Sequence, residues 1–208
     1  MKITEPTTMI TDFLITIESV IIAILLIIGY DNQFSRLLFA LSVLLVGLRA
    51  FTGGVYHGFS NYLTPAQKSK WWKITLLSLV YASTIMLLAI ILSSLTSRLS
   101  LAVFSILAIL NSIYFTKLVI ERLEFIIANL SFGISVVFMI GFKIISYLDL
   151  QDSRSKYILL GLFILVGGSI VQISKLAFHG SFCTYINFVL HLRLLSAYYL
   201  PIVFHRFI

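Results

Sequence analysis

The sequence predicts an all-α integral membrane protein, a seven-transmembrane helix bundle with a polar cavity on its N-terminal side. Three observations predict it. The chain is too apolar for water, its apolar runs have the length of bilayer crossings, and its polar residues gather toward one side of those runs.

The 208 residues are 60% hydrophobic and 11% charged, and the mean hydropathy is +1.05. A soluble domain carries roughly a quarter of its residues charged. A chain this apolar cannot cover its surface with polar groups, so lipid is its expected solvent and the bilayer its expected partner. Net charge is +7. The 15 Lys and Arg residues sit mostly in short loops and at span ends, where topology determinants and headgroup contacts belong, and no nucleic-acid footprint accompanies them. The single cysteine, Cys183, excludes an internal disulfide and a zinc–thiolate pair. Only Lys2 precedes Glu5, and the first apolar run is too long for the core of a signal peptide, so it reads as a retained span.

The elements follow in order as one transmembrane domain over 1–208. Span one covers about 11–30 and ends at Asp31-Asn32-Gln33. Span two covers about 37–59, and a loop with Pro65 follows. Span three covers about 71–95 and opens on Trp71-Trp72, an interfacial aromatic anchor. Span four covers about 99–120 and is broken by Glu121-Arg122-Leu123-Glu124. Spans five, six and seven cover about 125–147, 157–178 and 185–204. Runs near 20 residues match the bilayer core, and hydrocarbon leaves the backbone no partner but its own helix. A slight excess of Lys and Arg on the N-terminal side places that side in the cytoplasm.

Charged groups inside spans are costly, about 2.5–3.5 kcal/mol on insertion scales, so they mark sites. Asp12, Glu18, Arg49, His57, Asn111, Lys117, Asn129, Gln172, Lys175, Asn187, His191 and Arg193 all fall in the half of their span nearer the N-terminal side. His179 lies in the adjoining loop. In the other half stands Lys143 with a few hydroxyls. A water-accessible cavity open to the N-terminal side accounts for this. Glu18 and Arg49 lie at similar depths and are expected to pair, either as a structural lock between spans one and two or as a proton or substrate site of a small transporter. Arg49, Gly53 and His57 are four residues apart and share a helix face. Asn187 and His191 share another. His57, His179 and His191 would meet near one surface, where three imidazoles can hold Zn²⁺ and leave a fourth position for water. Equally, such histidines can bond headgroups or backbone, and no HExxH or HxxxH spacing is present. His205 reads as an interfacial residue at the far side.

Two stretches carry a resemblance. Glu5-Pro6-Thr7-Thr8-Met9-Ile10-Thr11-Asp12 enters span one. Gly53-Gly54-Val55-Tyr56-His57-Gly58-Phe59 closes span two and is followed by Trp72-Lys73. Together they resemble an uncharacterised bacterial seven-span family, which is distantly similar to the membrane hydrolases that include alkaline ceramidases and adiponectin-receptor-like proteins. That resemblance implies a zinc-dependent hydrolase acting on a lipid amide or ester bond, with His57 and His191 as metal ligands. His179 or Asn187 would complete the shell, and Asp12 and Glu18 would be the acid/base or supporting groups. The sequence departs from that pattern in span seven, which carries His191 but not a histidine pair. Gly53 also stands one turn before His57, where those proteins place serine, and span three has no aspartate. A catalytically degenerate scaffold or lipid-binding protein of the same fold is the alternative expectation.

Overall fold

The computed structural model describes residues 3–29, 33–149, 155–156, 158–163 and 166. Five long helices fill most of them: α1 (Pro6–Ile28), α2 (Phe34–Phe59), α3 (Pro65–Ser94), α4 (Arg98–Arg122) and α5 (Phe125–Asp149). A 3₁₀ turn, Ser60–Tyr62, follows α2. All five helices are long and apolar enough to cross a bilayer, as in a multi-pass membrane protein. The first five expected spans each fall on one of them. Most of expected span six and all of span seven lie outside the described residues. The described part of span six is helical, and its Ile158 and Leu162 are buried in the main apolar core.

Two helices begin earlier than expected, at Pro6 and Pro65, for local reasons. Proline at the first helical position loses no hydrogen bond, because that N–H has no partner in the helix. At α3 a capping box adds to this: the Thr64 amide donates to Gln67 Oε1 at 2.9 Å, and the Gln67 amide donates to Thr64 Oγ1 at 3.3 Å. The breaks on either side of α4 are equally specific. Ser97 caps its start. At its end Leu123 turns into the left-handed region, with φ 53° and ψ 30°, and so ends the helix.

The helix α3 is central and packs on α2, α4 and α5. Its most apolar stretch is 72% buried, against 22% for α4. The outward faces of α1 and α4 expose Ile17, Ile21, Ile24 and Ile28, and Val103, Ile106, Leu110 and Ile113. Steps of three and four residues make each set one lipid-facing stripe.

Small residues bring α1 close to α2. A Cβ on Gly54 would stand 3.1 Å from both Asp12 Cβ and Phe13 Cε1, and one on Gly47 would stand 3.0 Å from Ser19 Cβ. One on Gly58 would overlap Met9. This is the small-residue packing that lets membrane helices meet backbone to backbone. Thr16 Oγ1 fastens the seam, donating to the carbonyls of Asp12 at 2.9 Å and Gly47 at 3.3 Å.

The far side of the bundle is less apolar than the sequence suggests. Arg36 and Lys143 are both fully buried, and Lys143 Nζ donates to Ser93 Oγ at 3.2 Å. By distance from a span end, Arg36 reads as a flanking residue. Packing of α2 and α5 into the bundle encloses these cations instead of leaving them at the interface. Polarity therefore marks both ends of the bundle, and the N-terminal end is distinguished by carboxylates and histidine rather than by polarity alone.

Candidate functional site

The antiparallel α1–α2 pair sets the start of α1 beside the end of α2. The Thr4 amide donates to the Gly58 carbonyl at 3.1 Å, which holds the entry segment across the last turn of α2. Glu5 precedes the first helical residue, so its side chain reaches the same surface. Glu5 Oε2 lies 3.0 Å from His57 Nδ1. This is an ion-pair distance, but the approach lacks the alignment of a hydrogen bond, because Nδ1 has no bonding partner by direction. His57 sits in the last turn of α2, where the carbonyl end of the helix dipole favours a cation.

Asp12 stands two turns into α1, over Gly53 and Gly54. A Cβ on Gly53 would meet Asp12 Oδ2 at 3.3 Å, so the glycine pair makes room for this carboxylate against the α2 backbone. Asp12 interacts electrostatically with Arg49, His57 and Glu5. Arg49 is attracted electrostatically by Asp12; the sequence pointed to Glu18 as its partner. Glu18 lies six residues further along α1 and makes contacts of its own. The guanidinium carbon of Arg49 also lies 5.9 Å from the Phe125 ring centroid, a cation–π distance.

Aromatic rings wall the cluster on the side of α3 and α5. Tyr56 and Trp72 centroids are 5.1 Å apart, and Trp72 and Phe125 are 6.2 Å apart. His57 meets Trp72 edge-on at 6.5 Å. The Trp72 indole donates to the Leu123 carbonyl at 3.0 Å, fixing both the ring and the turn between α4 and α5. Below, Thr52 and Thr75 hydroxyls share a 2.8 Å hydrogen bond between α2 and α3.

The helix α1 with its entry segment and the helix α2 thus bring together Glu5, Asp12, Arg49 and His57, and α3 and α5 add the rings of Trp72 and Phe125. Of the site residues expected from sequence, Asp12, Arg49 and His57 meet here. Glu18 is on the same helix, six residues further along than Asp12, and His179, Asn187 and His191 lie outside the described residues. Among the described residues no three His, Cys, Asp or Glu side chains group as a metal site. His57 would offer Nε2 to a metal, with the Glu5 carboxylate 3.0 Å from its other ring nitrogen but without the aligned hydrogen bond. A metal-bound histidine usually donates its other ring N–H to such a partner.

Glu5, Tyr56, Trp72 and Phe125 were not expected in the cluster. Glu5 was missed together with the start of α1: a helix starting at Pro6 and pairing with α2 through a short loop puts residue 5 near the end of α2. Trp72 read in sequence as an interfacial anchor, and Tyr56 and Phe125 as ordinary span aromatics.

Residues 7–202 match a family of unknown function, DUF6962. No curated protein and no solved structure matches the chain.

Proposed function

The chain belongs to the DUF6962 family, and we propose that it is a zinc-dependent membrane hydrolase acting on a lipid amide or ester bond at the N-terminal end of the bundle. The observation that carries this reading is the 3.0 Å approach of Glu5 to His57 Nδ1, with Asp12 and Arg49 beside it. A lone interfacial histidine needs none of these neighbours. A metal-bound one needs a partner that fixes its tautomer and orientation.

In this reading the bundle has seven spans, with the last two supplied by 157–178 and 185–204. His191, with His179 or Asn187, completes the ligand set with His57, and the N-terminal side faces the cytoplasm. Zinc, when bound, lowers the pKa of its water and supplies a nucleophile near neutral pH. Glu5 holds the imidazole of His57 so that Nε2 faces the metal position. Asp12 takes or returns the proton of the reacting group, and Arg49 orients Asp12 and balances its charge. The rings of Tyr56, Trp72 and Phe125 exclude water from one wall. Glu18, deeper on α1, serves as a supporting carboxylate.

Hydrolysis of a fluorescent ceramide-type amide and a matched lipid ester by the purified, zinc-loaded protein tests this. The wild type is expected to release fatty acid from one of them, and Asp12→Asn to lower kcat by about 10²–10⁴-fold. No release from either substrate, or full activity in the variant, rejects the assignment.

A second reading has its own observation. Arg49 lies against Phe125 and beside Asp12, and this would equally fasten α1, α2 and α5 in a non-catalytic lipid-binding protein of the same fold. That reading predicts the same stability loss on mutating Asp12, with no hydrolysis in the wild type.

A further inference from the structure

A groove of about 210 Å³ opens between α4 and α5 with α3 as its floor. Leu87 and Ile91 form the floor, Phe104 lies on one wall and Phe138 and Phe142 on the other, and Asn111 is the one polar residue of the lining. It is remote in sequence and helix position from the Glu5–His57 cluster. Asn111 lies 13 residues from Arg98 and 11 from Arg122, the ends of α4, which is about 20 and 17 Å at 1.5 Å per residue. Its depth is therefore close to the bilayer midplane.

The groove lies within three spans, and its rim residues Leu107, Ile134 and Phe138 are exposed, so its medium is lipid hydrocarbon. Apolar lining does not hold water, which needs two or more polar partners. The Asn111 amide has no hydrogen bond to any described residue. An unpaired carboxamide in hydrocarbon is unfavourable unless something arrives to meet it. A polar group carried on a hydrocarbon chain reaches this depth.

We propose that this groove binds a single lipid chain whose amide, ester or hydroxyl group hydrogen-bonds Asn111. The concavity separates this from a helix-pairing site. A second copy of α4 would present a convex ridge of side chains, whereas a single hydrocarbon chain fits a groove that Phe104 and Phe142 close at one end with ring centroids 4.9 Å apart. The inference does not rest on the hydrolase reading, because the groove shares no residue with that site.

The test is native mass spectrometry of the full chain in detergent with two probes of equal chain length, oleamide and 1-octadecene. One oleamide per chain is expected on the wild type, in preference to octadecene. Asn111→Leu keeps the volume and removes the amide, and it should weaken oleamide about tenfold, the effect of one lost hydrogen bond. Leu107→Trp, at an exposed rim position, should obstruct the groove and lower the adduct without disturbing the fold. Three outcomes would overturn the proposal. They are equal retention of both probes by the wild type, undiminished oleamide on either variant, and a dimer that Asn111→Leu dissociates while oleamide binding is unchanged.

Discussion

Asp12 and Arg49 are an aspartate and an arginine half-buried among apolar helices, and they attract each other electrostatically. Removing one partner of such a pair leaves the other charge without compensation, which costs more than removing both. Asp12→Ala and Arg49→Ala are each expected to destabilise the protein by about 3 kcal/mol. The double variant should lose clearly less than the sum, with a coupling of about 1–3 kcal/mol in chemical denaturation from detergent micelles. Additive losses would show that the two charges do not interact. Trp72 makes a separate prediction. Trp72→Phe keeps a ring against Tyr56 but deletes the indole bond to the Leu123 carbonyl, at about 1 kcal/mol, and should lower the melting temperature. At this scale the sequence was partly legible. His57, Asp12 and Arg49 stood out because charge in a span is rare. The choice between Asp12 and Glu18 as the partner of Arg49 was not legible, because depth along a helix says nothing of the direction a side chain faces. The bulk of Gly53 and Gly54, or rather its lack, makes the place for Asp12.

At the scale of elements, the α1–α2 seam and the outer face of α5 give opposite expectations for the same substitution. Gly54→Ala pushes a methyl to 3.1 Å from Asp12 and Phe13, and overpacking of this kind costs about 1–3 kcal/mol. Gly133 and Gly141 have nothing within 4 Å of an added Cβ. Alanine there should be neutral or should stabilise the helix by up to about 1 kcal/mol. Thermal unfolding of the three single variants in one detergent checks the contrast, and a uniform effect would contradict the packing described. Element existence was well marked in sequence, since long apolar runs in lipid have no alternative to helix. Two starts were missed. Thr64-Pro65-Ala66-Gln67 carries both a first-turn proline and a capping box, yet proline in a polar stretch reads as a breaker. Pro6 hid the start of α1 in the same way, and with it the position of Glu5.

At the scale of the whole molecule, hydropathy foretold a helical membrane bundle, and five crossing helices bear that out. At the far end α2 and α5 bury Arg36 and Lys143, and Gln172, Lys175, His179, Asn187, His191 and Arg193, on which the expected contrast between a polar and an apolar half also rests, lie outside the described residues. What is distinctive at the N-terminal end is chemistry: two carboxylates, an arginine and a histidine, brought together by the consecutive helices α1 and α2. If that end is a metal centre, Glu5→Gln should keep the fold and weaken metal affinity about 10–100-fold, as loss of a partner that orients a ligand does. Quantitative metal analysis of the purified full chain, wild type against His57→Ala, is the most direct test. About one zinc per chain in the wild type, and a loss of most of it in the variant, is the expected result. Metal-free wild-type protein after zinc loading, or the same zinc content in His57→Ala, would contradict it.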